Sequence, residues 1–355
     1  STVATIAWDL RRLFNNAAEE SSDAPEATDF QLHDFSYRGQ TSWQTAAASG
    51  AAHLLSSFGS DMVPTVPWVN HYYPGEDNGL IAASVPASEH SVMCAGGENS
   101  ELETIERLLD LFPDGIISIV VDTWDYWHVL TETLPKLKDK IMSRNGKLVI
   151  RPDSGNPADI ICGTSRVSTY MGQFDAIGQT AEQKGTIELL WEIFGGTVNS
   201  KGYRELDTHI GLIYGDSINK ERIIDINSRL RGKGFASTNW VGGVGSFTYQ
   251  YNTRDTFFSA IKMTEVEVGG VRRNIQKNPK TDNGTKKSAT GRLAVLNQMN
   301  GELYLVEKAT PEQEANSVLK TVWKDGQFVR SQSFQNVRET LKRNTEILER
   351  AGKLV

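Results

Sequence analysis

Between about residue 100 and residue 245, the apolar positions change period again and again. Stretches with an apolar residue every third or fourth position alternate with short unbroken apolar runs, which predicts helices alternating with fully buried strands. "ELETIERLLDLF" reads as a helix and "GIISIVVD" as a buried strand ending at Asp122. "WDYWHVLTETLPKLKDKIM" is helical with a break expected at Pro135, and "KLVIRPD" is the next strand. A turn-rich insertion follows around residues 155–176. "TAEQKGTIELLWEIFG" is a helix stopped by Gly195 and Gly196, and "HIGLIYGD" is a strand ending at Gly215 and Asp216. "NKERIIDINSRLRGKG" is a helix with Asn219 placed to cap it, and "FASTNWVGGVGS" closes the series on glycines. Such alternation predicts βα units and a parallel sheet buried on both faces.

The flanks differ. Val3, Ile6, Leu10 and Leu13 recur at helical spacing, so residues 1–30 are expected to hold an amphipathic helix and its connection. Beyond residue 255 the texture becomes short β-branched or aromatic segments, "FFSAIKMTEVEV", "GRLAVLNQ", "ELYLVEK" and "KTVWKDGQFV", separated by turns such as "DNGT" and "KDG". These predict antiparallel hairpins, followed by a polar helix over roughly 334–351. The expected division is a β/α domain over 31–255 and a β-rich domain over 256–355, with the N-terminal helix joined to the latter.

Successive predicted strands deliver Asp122, then Arg151 with Asp153, then Gly215–Asp216, then Gly242, Gly243 and Gly245. Asp and Gly are turn formers, and any one terminus is explained by that alone. Four in a row, carrying anions, a guanidinium and a glycine loop, point to a ligand site, which in β/α barrels and open α/β sheets lies at the carboxyl ends of the strands. Glycines and Ser246 ahead of a helix expose backbone N–H groups to an anion, and Arg254 lies close enough in sequence to add a bidentate phosphate contact. On spacing alone a plain tight turn accounts for this loop equally well. Asp153 and Asp216 suit ribose hydroxyls, and Asp122 with Asp153 suits Mg²⁺, which binds few carboxylates and keeps its waters. Phe35 and Arg38 in "LHDFSYRG" pair an aromatic face with a phosphate donor. His90 in "SVPASEHS" reads by itself as a structural histidine as readily as a functional one.

Composition narrows the classes. The 355 residues, 39% hydrophobic and 23% charged, suffice for one large or two moderate domains, and a net charge of −7 offers no basic field for nucleic acid or anionic membrane. Cys94 and Cys162 make neither a disulfide framework nor a metal-binding spacing. No apolar run approaches the ~20 residues of a spanning helix, and "AWDLRRLF" interrupts any signal-peptide core, so a soluble cytoplasmic protein is expected. The chain begins inside a helix and without Met, which suggests residues upstream of Ser1.

In this order and spacing, "LHDFSYRG", "SVPASEHS", "SIVVDTWD", "VIRPDSGNP", "IYGDSIN" and "GGVGSFTYQYNTRD" resemble the nicotinamide phosphoribosyltransferase family, its bacterial and phage forms most of all. The resemblance covers essentially the whole chain, and "RPDSGNP" with "SVPASEH" is its most specific part. It implies a β/α barrel of the type II phosphoribosyltransferase kind beside a β-rich domain, working as a homodimer with interface active sites. The implied reaction joins nicotinamide to phosphoribosyl pyrophosphate with Mg²⁺, releasing nicotinamide mononucleotide and pyrophosphate. By resemblance Phe35 stacks on the pyridine ring with Arg151 beside it. Asp61 accepts from the carboxamide, with Ser84 and Ser118 near it. Arg38 meets phosphate, Asp153, Gly215 and Asp216 hold ribose, and Gly245, Ser246 and Arg254 take the 5′-phosphate. Lys262, Lys277 and Lys286 correspond to pyrophosphate-binding cations, Asp122 and Asp153 border the metal, and His90 is the residue phosphorylated in an accessory ATP hydrolysis.

Two departures accompany the resemblance. Ser246 stands where some members carry another glycine, and the family's N-terminal segment is not in this chain, so a separate or missing segment is expected. The nearest alternative is nicotinate phosphoribosyltransferase on the same barrel. Another is a subunit that is inactive without a further chain. A kinase or ATPase fits less well, because no Walker pattern accompanies His90.

Overall fold

The computed structural model describes residues 2–75, 77–164, 180–215, 217–251, 256–257, 261–276 and 288–354. Backbone contacts divide the chain into two compact units, one of residues 1–72 and 79–251, the other of residues 73–78 and 252–355.

The first unit is built on a curled, six-stranded parallel sheet. Its strands are β1 (Leu32–Asp34), β2 (Gly59–Ser60), β3 (Asp114–Val120), β4 (Asn145–Arg151), β7 (Ile210–Tyr214) and β8 (Trp240–Val244), in the order β2-β1-β8-β7-β4-β3. A small antiparallel pair, β5 (Gly196–Val198) with β6 (Arg204–Leu206), lies outside it. Ile117, Ile119, Leu148, Ile150, Ile210, Leu212 and Trp240 are buried, as strands covered on both faces require. The sheet's two edges are joined through one extended segment. The Ser60 N–H donates to Ala83 O at 3.0 Å, and the Ser118 N–H donates to Pro86 O while Ser88 N–H returns a bond to Ser118 O, both 2.9 Å. Ala83 thus bridges β2 and Ala87 bridges β3, both in parallel sense.

Helices follow the strands. Asn219 caps the helix Lys220–Gly232 through the Arg222 N–H at 3.0 Å. Pro135 does not break its helix. The chain passes from Tyr126–His128 through a π turn, Val129–Thr133, into Leu134–Met142, so the wider turn absorbs the proline, which has no N–H to donate. The N-terminal helix Thr2–Ser21 packs in this first unit. Its apolar face of Ala7, Leu10 and Phe14 is buried, with Phe14 and Trp240 rings 5.2 Å apart. Gly242 and Gly243 lie inside β8, not in the loop beyond it.

The second unit is made of antiparallel pairs. Glu265–Val268 pairs with Val271–Asn274, Ala294–Asn297 with Leu303–Val306, and Trp323–Lys324 with Gln327–Phe328. The tight turn of the last pair is Asp325–Gly326, both at positive φ, the geometry that an Asp-Gly hairpin favours. The helix Phe334–Arg350, capped by Ser333, completes it. No described helix is long and apolar enough to cross a membrane.

Candidate active site at the carboxyl ends of the strands

Each sheet strand of the first unit hands its next residues to one end of the sheet. Phe35 follows β1, and its N–H donates to Val244 O at 2.9 Å. Asp61 follows β2 and its N–H bonds Asp34 O at 3.0 Å. Asp122, Asp153, Gly215 and Gly245 follow β3, β4, β7 and β8.

Phe35, Gly215, Asp153 and Asp61 are linked through Gly243, Arg151 and His33 by a series of contacts and one electrostatic influence. The Phe35 ring lies over Gly243, where a Cβ would sit 2.7 Å from ring carbons Cδ2 and Cε2 and 2.8 Å from Gly215 Cα. Any Cβ on Gly215 would overlap Asp153 Oδ1, so this glycine lets the chain pass against the carboxylate. Asp153 Oδ2 is 3.7 Å from Arg151 Nε. Arg151 Nη2 donates to Ser88 O at 2.8 Å, and its charge acts on Asp61. Asp61 Oδ1 accepts from His33 Nε2 at 2.8 Å and from Ser84 Oγ at 2.6 Å. The His33 ring returns to Phe35, with centroids 4.7 Å apart. Burial pushes the Asp61 carboxyl upward. The hydrogen bond and charge of His33, the Ser84 hydroxyl and the charge of Arg151 outweigh it and hold Asp61 below its ordinary value.

A second cluster adjoins Asp153. Asp122 is buried, its side chain 2% exposed, and its Oδ2 accepts from the Asp153 N–H at 2.8 Å and from Ser154 Oγ at 2.6 Å. Its Oδ1 is buried without a hydrogen-bond partner among the described residues. His90 Nε2 lies 3.7 Å from Asp122 Oδ1 and 3.7 Å from Asp153 Oδ2, while Nδ1 is 3.1 Å from Thr123 Oγ1. No group of three or more His, Cys, Asp or Glu among the described residues forms a metal cage. Two carboxylates with one buried, unpartnered oxygen do fit Mg²⁺, which takes one or two protein carboxylates and completes its shell with water and phosphate.

Arg38 sits on the exposed turn Tyr37–Gly39, and Gly39 abuts Ser246, bringing that turn against the start of the short helix Ser246–Tyr249. Around Gly245 a Cβ would meet nothing within 4 Å. Ser118, on β3, is 5% exposed with its hydroxyl unpartnered among the described residues. Lys262 belongs to the second unit. Asp216, Arg254, Lys277 and Lys286 lie outside the described residues. His33 was not singled out from the sequence. The signal available was its place two residues before Phe35, on the same face of a strand.

Residues 30–327 match the sequence profile of the nicotinate phosphoribosyltransferase (NAPRTase) family. The chain is 44% identical to the nicotinamide phosphoribosyltransferase of Acinetobacter baylyi over 353 residues, 98% of this chain and 68% of that protein. It is 43% identical to that of Mycoplasma pneumoniae over 291 residues, 82% of this chain and 59% of that protein. With the Xanthomonas campestris nicotinamide phosphoribosyltransferase it shares 33% identity over 345 residues, 95% of this chain and 68% of that protein. The chain therefore spans between 59% and 68% of the length of these curated relatives. The parallel barrel-like sheet, the ring of functional groups at its carboxyl end and these matches lead to one assignment: the chain belongs to the nicotinate phosphoribosyltransferase family.

Proposed function

We propose that the protein transfers the phosphoribosyl group of phosphoribosyl pyrophosphate to nicotinamide, giving nicotinamide mononucleotide and pyrophosphate in NAD salvage. The observation that carries this reading is the run of neighbours Phe35, Gly243, Gly215, Asp153 and Arg151, with Asp61 under the charge of Arg151 and bonded to His33, whose ring returns to Phe35. It sets an aromatic face and an amide acceptor beside a guanidinium and a carboxylate, the groups a flat carboxamide base and a ribose need.

In this reading Phe35 stacks on the pyridine ring and Asp61 accepts from the carboxamide NH₂, with Ser118 on the same side. As the bond from C1′ to the pyrophosphate oxygen lengthens, positive charge develops on the sugar. Asp153 stabilises that charge while Arg151 faces the incoming ring. The pyridine nitrogen then closes the new bond to C1′ and the electron pair leaves with pyrophosphate. No protein nucleophile is required. Rigid placement on a backbone stiffened by Pro152 supplies orientation and preorganised charge. Asp122 and Asp153 would hold Mg²⁺, which when bound would supply positive charge for the pyrophosphate oxygens. Gly215 and Asp216 serve the ribose, Gly245, Ser246, Arg38 and Arg254 the phosphates, and Lys262, Lys277 and Lys286 the pyrophosphate. His90, with Nδ1 engaged by Thr123, presents Nε2 for phosphorylation by ATP as an accessory activity. The homodimer rests on the family resemblance.

Nicotinamide is preferred over nicotinate because Asp61 is held ionised, and an ionised carboxylate accepts from an amide but repels a carboxylate. The test is a mass-spectrometric product assay with each base, phosphoribosyl pyrophosphate and Mg²⁺. Asp153→Ala is expected to lower turnover by ~10²-fold or more with the fold intact, given what orientation and charge contribute at such sites. A near-wild-type rate, or faster turnover of nicotinate, overturns the reading.

A further inference from the structure

Asp61 has two oxygens, and the protein treats them differently. Both described hydrogen bonds, from His33 Nε2 and Ser84 Oγ, converge on Oδ1. Oδ2 has no hydrogen-bond partner among the described residues. An ionised carboxylate only accepts, so the His33 nitrogen facing it carries the proton and donates. The imidazole is 12% exposed and is fixed by more than this bond. His33 sits in β1 between Gly59 of β2 and Gly243 of β8, paired with both. A Cβ at Gly59 would lie 2.8 Å from His33 Nδ1, so the neighbouring strand leaves room for the ring by lacking a side chain. The other side of the imidazole meets Phe35 at 4.7 Å.

We infer that His33 is a positioning residue that sets the choice of base: by clamping Oδ1 it turns Oδ2 toward the carboxamide and keeps Asp61 from swinging to meet other ligands. Through the same ring it fixes the distance between the stacking face of Phe35 and the amide acceptor. This inference rests on the proposed nicotinamide reading and adds to it a residue that touches neither the reacting atoms nor the phosphates. Because His33 contributes to holding Asp61 ionised, removing it moves the acid limb of the reaction upward in pH.

The experiment compares the full chain with His33→Leu, which fills the space without a donor. His33→Gln puts an amide N–H near the Nε2 position, whereas His33→Asn places it near Nδ1. Steady-state kinetics are measured for nicotinamide, nicotinate and phosphoribosyl pyrophosphate from pH 8 down to the lowest pH at which the protein stays folded, since the Asp61 limb of the wild type lies below the ordinary carboxylate value. His33→Leu is expected to raise KM for nicotinamide about tenfold, the range of one lost charge-assisted hydrogen bond. It should leave KM for phosphoribosyl pyrophosphate unchanged, narrow the preference over nicotinate and shift the acid limb of kcat/KM to higher pH. Gln is expected to recover most of this and Asn little, a comparison that stands even if the Leu variant fails to fold. In an Asp61→Asn background, His33→Leu should add little, since it acts through Asp61. If wild type uses nicotinate in preference or neither base, the functional reading fails and takes this inference with it. Should wild type prefer nicotinamide while Gln and Asn behave alike and selectivity and acid limb stay put, the inference alone is wrong.

Discussion

A methyl group at Gly243 tests the geometry beneath the base. Gly243 pairs with His33 in the middle of the sheet, and its missing side chain is the floor on which Phe35 lies. In Gly243→Ala the new Cβ would stand 2.7 Å from Phe35 Cδ2 and Cε2 and 2.8 Å from Gly215 Cα. Carbon atoms rest about 3.5–4.0 Å apart, so roughly 1 Å must be found. Gly215 yields little, because it is backbone lodged against Asp153. The Phe35 ring, a half-buried side chain, is the part that can give way, and in doing so it leaves its stacking plane. Overpacking of this size costs about 1–3 kcal/mol in stability. A positioning error of about 1 Å costs up to ~10²-fold in rate. Kinetics by product mass spectrometry should show kcat/KM for nicotinamide falling ~10- to 100-fold with KM for phosphoribosyl pyrophosphate nearly unchanged. Calorimetry should show Tm lower by only a few degrees. In a Phe35→Ala background the methyl has space, so Gly243→Ala should lose most of its effect. Equal losses in both backgrounds, or wild-type kinetics in the single variant, would refute the packing of Phe35 on this glycine.

Asp122→Asn keeps an acceptor for the Asp153 N–H and the Ser154 hydroxyl but removes the charge. It should raise the Mg²⁺ concentration for half-maximal activity about tenfold without loss of Tm, and an unchanged Mg²⁺ titration excludes Asp122 as a ligand. Burial, with the charges of Asp125 and Glu98, pushes the Glu101 carboxyl up to about 7 from an ordinary 4.5. Between those values the folded protein holds a proton that the unfolded chain has released, so this group lowers stability as pH rises from about 4.5 to about 7. Glu101→Gln should therefore gain Tm over wild type at pH 8 and lose that advantage at pH 5; a difference independent of pH contradicts the assignment. Burial pushes the Cys162 thiol up to about 12, whereas Cys94 is exposed. Iodoacetamide on the native protein at pH 8 should modify Cys94 alone and reach Cys162 only after unfolding, as peptide mass mapping reads directly.

The strands were legible because their buried stretches leave only one kind of sequence: β3, β4 and β7 carry the short apolar runs Ile119–Val120, Leu148–Ile150 and Leu212–Tyr214. Their termini were legible because charged and glycine residues cannot continue such a run. What escaped was non-local. Gly242 and Gly243 looked like a loop since glycine is a turn former, yet inside β8 the Gly243 position keeps Phe35 close to the sheet. His33 attracts no attention in "LHDFSYRG"; its meaning comes from Gly59 and Asp61, which sequence places more than twenty residues away and the parallel pairing brings beside it. Pro135 misled because a proline's missing donor is tolerated once a π turn has already rerouted the bonds.

The extended segment Ala83–Ser88 links the two halves of the site. It is too irregular to read as a strand from sequence, since it bonds β2 at one end and β3 at the other instead of running along either. Pro86 is tolerated within it because that residue contributes only its carbonyl, to the Ser118 N–H. Ser84 reaches back to Asp61 from one end, while Ser88 O anchors Arg151 and the chain continues directly into His90, between Asp122 and Asp153. The group proposed to recognise the base and those proposed to hold the metal are thus fastened to one short span with few backbone bonds of its own. The two groups are separated by only a few residues of backbone that is bonded to the sheet at both ends. That linkage suits a reaction in which the base and the pyrophosphate must be held on opposite sides of a single carbon while one bond to it forms and the other breaks.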